Sequence, residues 1–178
     1  MKRRAEFLTF GKPVIGEAEI KEVVDTLTSG WLGTGPKVAR FEDAFRIYKQ
    51  AEFVAALNSC SAALHLSMVA VNIAPGDEVI TTAMTFCATV NAIMHAKGTP
   101  VLADVDPISM NIDPDDVERR ITPRTRAIIP VHFGGRPCEM DRIMAVARRH
   151  NLKVIEDCAH AIETEFHGKQ AGTFGDFG

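Results

Sequence analysis

The 178-residue sequence lacks any apolar run of the roughly 18 residues that a membrane-spanning helix requires. Its formal net charge is only -3, which gives no electrostatic reason to expect nucleic acid or an anionic membrane as a partner. The start, Met1 to Arg4, resembles the basic region of a signal peptide, but Glu6 and the segment Gly11–Pro13 interrupt any apolar stretch behind it. We therefore expect a cytoplasmic protein that binds neither nucleic acid nor membrane.

The sequence also lacks a C-x-x-C pair. Its four cysteines, Cys60, Cys87, Cys138 and Cys158, are widely separated. This spacing argues against both a zinc site and a redox motif, and no histidine spacing indicates a metal site either. We expect reduced, mostly buried thiols and no bound metal.

Three common signatures of α/β nucleotide-binding proteins and hydrolases are missing. The sequence contains no Walker A motif and no G-x-S-x-G elbow. The pair Gly33 and Gly35 lies between two predicted helices rather than after a strand, and the third glycine of the dinucleotide fingerprint is absent. These absences remove the usual competing functions for an α/β sheet.

What the sequence does contain is a regular alternation of helix and strand patterns. Strands separated by helical segments of this length predict βαβ units and a largely parallel sheet in one α/β domain. The predicted helices cover Glu17–Ser29, Lys37–Lys49, Ser61–Ile73, Ala88–Lys97, a short segment from Asp113, and the region of Met140–Ala147; the predicted strands cover Phe53–Leu57, Glu78–Thr81, Pro100–Asp104, Ala127–Val131 and Lys153–Glu156.

Asp157 follows the last of these strands directly. Ligands of open α/β sheets bind at the carboxyl ends of the strands, and a carboxylate in that position suits the protonated ring nitrogen of pyridoxal phosphate. Aspartate is equally a favoured N-cap residue, so capping of a following helical turn is an alternative interpretation. The segment itself leaves both interpretations open.

Two other strand ends carry chemically useful groups. The segment Asn58–Ala63 precedes a helix and offers hydroxyls and amides to a phosphate, although the same residues are typical helix caps. Phe86 could stack on a planar cofactor or could be a core residue. His132 is expected to be a hydrogen-bonded, semi-buried histidine.

Taken together, these segments resemble the DegT/DnrJ/EryC1/StrS family of pyridoxal-phosphate-dependent sugar aminotransferases, which have fold type I. The resemblance extends in register along essentially the whole chain. It rests on the segments Ser29–Pro36, Asn58–Ala63, Pro75–Ile80, Thr85–Phe86, Ala103–Asp106, Pro130–Gly135, Val154–His160 and Gly172–Asp176. It implies a three-layer αβα fold with a largely parallel sheet, forming part of the large domain of such an enzyme.

The resemblance also implies roles for five cofactor-binding residues. Asp157 matches the partner of the pyridine nitrogen, and Ser61 and Ala62 match the positions that bind the cofactor phosphate by side chain and backbone amide. Phe86 matches the aromatic residue stacked on the ring, and His160 occupies the position, often Gln, that reaches the ring hydroxyl.

Trp31 and Gly33 match, with less detail, a loop near the sugar-nucleotide pocket. The resemblance implies a nucleotide-linked keto-sugar as substrate, an amino donor such as glutamate, and a homodimer. The expected organisation is one partial domain, with an arm and helices over residues 1–50 and cofactor-binding βα units over residues 51–178.

The Schiff-base lysine of the family lies in a Ser-Phe-x-x-x-Lys-Asn type motif that would follow Gly178, and no lysine of this sequence matches it. We expect that the 178-residue polypeptide contains no catalytic nucleophile and is inactive alone. A nucleotide-sugar 3-dehydratase of the same family, in which histidine replaces that lysine, is an alternative. A non-catalytic binding module is another.

Overall fold

The computed structural model describes Phe7 and residues 11–178, and it divides into two compact units, one ending at Phe41 and one covering Glu42–Gly178. In the first unit, helix α1 (Glu17–Ser29) ends at Gly30, which adopts a left-handed conformation with φ of 73°. Glycine takes this conformation without strain, so it is a common helix terminator. Helix α2 (Pro36–Lys49) begins in this unit, where the Lys37 ammonium lies 2.8 Å from a Glu22 carboxylate oxygen.

The second unit is built around a four-stranded parallel sheet. The strands are β1 (Glu78–Thr82), β2 (Thr99–Ala103), β3 (Thr125–Ile128) and β4 (Lys153–Val154), in the order β2-β1-β3-β4. The helices of this unit are α3 (Cys60–Ala70), α4 (Cys87–His95), α5 (Pro114–Arg119) and α6 (Met140–His150). The predicted parallel sheet is confirmed.

Two apolar clusters lie on opposite faces of this sheet. Side chains alternate between the clusters along each strand: Val79 belongs to one and Ile80 to the other, and Ile155 and Val154 divide in the same way. Helices α3 and α4 supply one cluster through residues such as Met68, and helices α5 and α6 supply the second. The predicted three-layer αβα arrangement is therefore confirmed.

The structure differs from the predicted elements in two places. The segment Phe53–Leu57 forms no strand; Phe53 is 82% exposed, and the backbone amide of Ala56 donates to a Glu42 carboxylate oxygen at 2.8 Å. β-prone composition produces a strand only where a sheet edge provides backbone partners, and this segment pairs with none of the described strands. In addition, β5 (Glu165–Phe166) and β6 (Lys169–Gln170) form an antiparallel hairpin that was not predicted.

Beyond β4 the backbone pairing continues as isolated bridges. Val131 pairs with Asp157, and Ile155 pairs with Phe177, both in parallel orientation. These bridges extend β3 and β4 to the point where Asp157 leaves the sheet. No helix in the described part of the chain is long and apolar enough to cross a membrane.

Candidate active site

The strand ends of the second unit bring the candidate residues to one edge of the sheet. β1 leads into Phe86 and α4, the extension of β3 leads into His132, and the extension of β4 leads into Asp157. Parallel strands share one carboxyl edge, which is where open α/β sheets bind their ligands.

Asp157 is 4% exposed, and its carboxylate has two hydrogen-bond donors. The Thr89 hydroxyl lies 2.7 Å from Oδ2, and the Ala159 backbone amide donates to Oδ1 at 3.2 Å. No regular helix follows, so Asp157 closes a local turn rather than capping a helix. An ionised carboxylate has about four acceptor positions, which leaves about two for a further donor.

The neighbouring Glu156 is buried and has a different environment. Oε2 accepts from the Gly172 amide at 2.9 Å and lies 3.0 Å from His132 Nε2, while Oε1 accepts from the amides of Phe174 and Gly175 at 2.7 and 2.9 Å. Burial alone would raise the pKa of Glu156, but the hydrogen bonds from His132, Gly172 and Gly175 outweigh it, so the pKa is lowered. Glu156 therefore fixes the segment from Gly172 to Gly175 onto the end of β4.

The tautomer of His132 follows from its two partners. The Cys138 amide donates to Nδ1 at 3.0 Å, so the proton is on Nε2 and is donated to Glu156. His132, Glu156 and Cys158 have potential metal-ligand atoms within 4.8 Å of one another. Both ring nitrogens of His132 already take part in hydrogen bonds, however, and burial raises the pKa of the Cys158 thiol. We therefore interpret these three residues as part of the structural core rather than as metal ligands.

The start of α3 lies close to Asp157. Burial, followed by the charge of Asp157, raises the pKa of the Cys60 thiol, which is the first residue of the helix. Ser59 caps the helix by accepting the Ala62 amide at 3.1 Å, whereas Ser61 is exposed. Ser59 is thus the residue that caps the helix. A phosphate that accepts a hydrogen bond from the Ala62 amide must share that amide with the Ser59 hydroxyl.

Phe86 and His160 are both exposed. Phe86 is the N-cap of α4, is 74% exposed and belongs to neither apolar cluster, so the core interpretation of this ring is wrong. The Gly134 amide donates to His160 Nδ1 at 3.3 Å, and in the neutral ring this places the proton on Nε2. His160 therefore presents an N–H donor, and it lines an open cavity of about 530 Å³ together with Glu163 and Thr164.

Trp31 and Gly33 lie in the first unit, in the loop between α1 and α2. The Trp31 indole N–H donates to the Thr34 carbonyl oxygen at 2.9 Å, and the ring is 58% exposed. A Cβ on Gly35 would lie within 2.1 Å of this ring, so the loop requires glycine there. A role for Trp31 and Gly33 toward a substrate stays a prediction.

Two groups in the second unit were missed by sequence reasoning. Thr89 contacts Asp157 and is itself 2.7 Å from the Thr85 hydroxyl, an i, i+4 spacing that was visible in the sequence at the start of a predicted helix. Lys49 is only 5% exposed, and its ammonium donates to the Ile162 carbonyl and to Gln170 Oε1 at 2.9 and 3.2 Å. Burial lowers the pKa of Lys49. No local signal in the sequence indicates this buried lysine.

The arrangement fits pyridoxal phosphate by the chemistry of its groups. A buried carboxylate with free acceptor capacity suits a protonated ring nitrogen, and an exposed aromatic ring suits a planar face. The N-terminus of α3 suits a phosphate, and the N–H of His160 suits a ring oxygen. These groups are borne by Asp157, Phe86, Ser61 with Ala62, and His160.

Comparison with known proteins agrees with this chemistry. The model of the DegT/DnrJ/EryC1/StrS aminotransferase family matches residues 13–178. The chain belongs to this family. It is 50% identical over 176 residues to the spore coat polysaccharide biosynthesis protein SpsC of Bacillus subtilis, and 53% identical over 173 residues to protein MJ1066 of Methanocaldococcus jannaschii.

Solved structures of similar proteins have the same fold. The Streptococcus pneumoniae protein Spr1654, described as a candidate sugar aminotransferase and solved in a PLP form, is 38% identical with a TM-score of 0.90, and the match covers 95% of this chain and 47% of that one. The aminotransferase of Psychrobacter cryohalolentis is 36% identical with a TM-score of 0.89, over 92% and 42% of the two chains. The predicted family membership and fold type I architecture are confirmed.

The chain spans 45% of the length of the curated relatives it matches, while those matches cover 99% of this chain for SpsC and 97% for MJ1066. Structures of relatives include PLP and PMP forms, which supports pyridoxal phosphate as the cofactor of the family.

Proposed function

We propose that this chain forms the cofactor-holding part of a pyridoxal-phosphate-dependent sugar aminotransferase. The observation that carries the proposal is Asp157: a buried carboxylate at the carboxyl edge of the sheet, close to the start of α3, with about half of its acceptor capacity unused. A buried carboxylate without further donors is costly, so its free capacity favours a cationic ligand group.

Each proposed site residue has one physical task. Asp157 would accept a hydrogen bond from the protonated ring nitrogen, and Phe86 would cover one ring face and exclude water from it. Ser61 and the first-turn amides of α3, with Ala62 shared with Ser59, hold the phosphate. His160 donates from Nε2 to the ring oxygen. When bound, the cofactor supplies an electron-withdrawing ring that stabilises negative charge on the substrate carbon bearing nitrogen.

The substrate proposal is a nucleotide-linked keto-sugar with an amino acid such as glutamate as the donor. It is supported by SpsC, whose name places it in polysaccharide biosynthesis, and by Spr1654. Trp31 and Gly33 are the residues that we propose to contact this substrate. A homodimer and a cytoplasmic location are part of the same proposal, and the four free thiols of the chain support a reducing compartment.

We further propose that the 178-residue polypeptide does not catalyse transamination by itself, because none of its lysines matches the Schiff-base motif of the family and two of them are engaged elsewhere. The Lys49 ammonium is held by Ile162 and Gln170, and the Lys153 ammonium lies 2.6 Å from an Asp176 carboxylate oxygen. Measurable turnover of an amino donor by the purified polypeptide would contradict this part of the proposal.

The test of cofactor binding uses pyridoxamine phosphate (PMP), because it has no aldehyde to react with surface lysines. We expect the wild-type polypeptide to bind PMP, and Asp157→Asn to weaken binding by about tenfold or more, since a charged hydrogen-bond partner is lost. An analogue in which carbon replaces the ring nitrogen should bind both proteins equally. Asp141→Asn, which changes an exposed aspartate of α6, is the matched control. Equal PMP affinity of wild type and Asp157→Asn, or no PMP binding at all, would contradict the proposal.

A further inference from the structure

The Asp157 carboxylate is held by a short chain of hydroxyl groups. Thr89 is fully buried in the first turn of α4, and its Oγ1 lies 2.7 Å from Asp157 Oδ2 and 2.7 Å from Thr85 Oγ1. An ionised carboxylate can only accept, so the single hydroxyl proton of Thr89 is donated to Asp157. Thr85 must then donate to Thr89, which gives the chain one direction: Thr85 to Thr89 to Asp157.

No titratable side chain near Asp157 takes the place of Thr89 as a hydrogen-bond donor. The Cys60 and Cys158 thiols both have pKa values raised by burial, with Asp157 contributing, so they are neutral near pH 7. Glu156 is saturated by four other donors. Among the described residues, Thr89 is therefore the only side chain that donates a hydrogen bond to Asp157.

We propose that Thr89, oriented by Thr85, is a positioning residue that holds the Asp157 carboxylate in place through Oδ2, so that a shared proton stays on the cofactor ring nitrogen. This inference rests on the proposed function. A donor to the charged form of a carboxylate stabilises that form relative to the protonated acid. When the donor is removed, the proton between ring and carboxylate is held less firmly by the ring.

Helix α4 gives the hydroxyl chain a second consequence. Phe86 is the N-cap of this helix and Thr89 lies one turn later, so the contact between Thr89 and Asp157 ties the proposed stacking residue to the end of β4. A merely structural role of Thr89 would affect every ligand of the site alike. A positioning role affects only the interaction with the ring nitrogen.

The experiment compares Thr89→Val, which removes the hydroxyl at nearly constant volume, with Thr89→Ser, which retains it. PMP labelled with ¹⁵N in the ring is bound to each polypeptide, and NMR at pH 7 reports whether the shared proton lies on the ring nitrogen or on the carboxylate. We expect Thr89→Val to shift this proton equilibrium about tenfold toward the carboxylate, the effect of one hydrogen bond to a charged acceptor, and to reduce the preference for PMP over the nitrogen-free analogue by about tenfold. Thr85→Val should act in the same direction to a smaller extent, and Thr89→Ser should retain wild-type behaviour.

Thr81→Val is the matched control, because Thr81 is equally buried and its hydroxyl donates to the Ile129 carbonyl at 3.0 Å, away from Asp157. A wild-type ¹⁵N signal in Thr89→Val, or an equal loss of PMP and analogue binding, would overturn the inference. Asp157→Asn separates the two levels of the argument. If it retains the preference for PMP, the proposed function is wrong; if it alone loses the preference, only the role of Thr89 is wrong.

Discussion

Replacement of Glu156 by glutamine should destabilise the second unit strongly although the two side chains have nearly the same shape. All four partners of the Glu156 carboxylate are N–H donors: His132 and the amides of Gly172, Phe174 and Gly175. A glutamine oxygen can accept from only two of them. The side-chain NH₂ group of the glutamine would then face the other two N–H donors, and these donors would have no acceptor.

The magnitude follows from the unsatisfied groups. Each buried donor left without an acceptor costs about 1–3 kcal/mol, and two are affected. Removal of a buried charge returns part of this cost, because the desolvation penalty of the carboxylate disappears. We therefore expect the free energy of unfolding to fall by about 3 kcal/mol. For a protein of this size that corresponds to a decrease in the melting temperature of roughly 6–12 °C.

The assay is urea unfolding followed by far-UV circular dichroism, with Glu163→Gln as the control. Glu163 is an exposed carboxylate close in sequence, and its replacement should change stability by less than about 0.5 kcal/mol. The pH dependence gives a second check. Because the folded pKa of Glu156 is lowered below the ordinary value of 4.5, its stabilisation is complete above that pH and is lost as the pH falls through the folded pKa. The difference between wild type and Glu156→Gln should thus shrink below about pH 4.5. Equal stabilities at pH 7 would refute this reasoning.

Three further changes test other parts of the fold by the same denaturation assay. Asp116 has a pKa lowered to about 2, mainly by a backbone amide and then by an arginine, so Asp116→Asn should cost about 2 kcal/mol at pH 7, and the difference should vanish as the pH falls from about 4 toward 2. Gly175→Ala should cost about 3 kcal/mol, because a Cβ there would lie 2.5 Å from the Val154 carbonyl oxygen, whereas Gly33→Ala meets no atom within 4 Å and should be nearly neutral. The pKa of Lys49 is lowered by burial, so the stability of the wild type should rise with pH above the folded pKa and up to about 10.5, and Lys49→Met should lack this rise; a parallel pH profile would contradict the buried amine.

The elements that local signals specify were predicted well. Helix α1 has the predicted bounds because an apolar stripe ends at Gly30, and a glycine at that position stops a helix without help from the rest of the fold. The alternation of side chains across β1 and β3 could also be predicted, because successive residues of any strand point to opposite faces of the sheet. Phe53–Leu57 shows the opposite case, because a strand requires a partner that composition does not specify.

The candidate site divides along the same line. Asp157 and Phe86 could be selected from the sequence because each directly follows a strand, and strand ends of a parallel sheet meet at one edge. The bond between His132 and Glu156 joins residues 24 positions apart, and the contact between Thr89 and Asp157 joins residues 68 positions apart. Such pairs depend on strand order and on the tilt of α4, which local sequence patterns do not encode.

Glu156 and Asp157 show how two adjacent buried carboxylates acquire different tasks. Strand geometry directs them to opposite sides of the chain, so each meets a different set of donors. Glu156 meets four donors and has no capacity left for a ligand, whereas Asp157 meets two and retains about half of its capacity. The saturated carboxylate needs no ligand to offset its burial, and it holds the backbone rigid beside the unsaturated one. The count of donors, rather than burial itself, is what marks Asp157 as the residue that receives a cationic group.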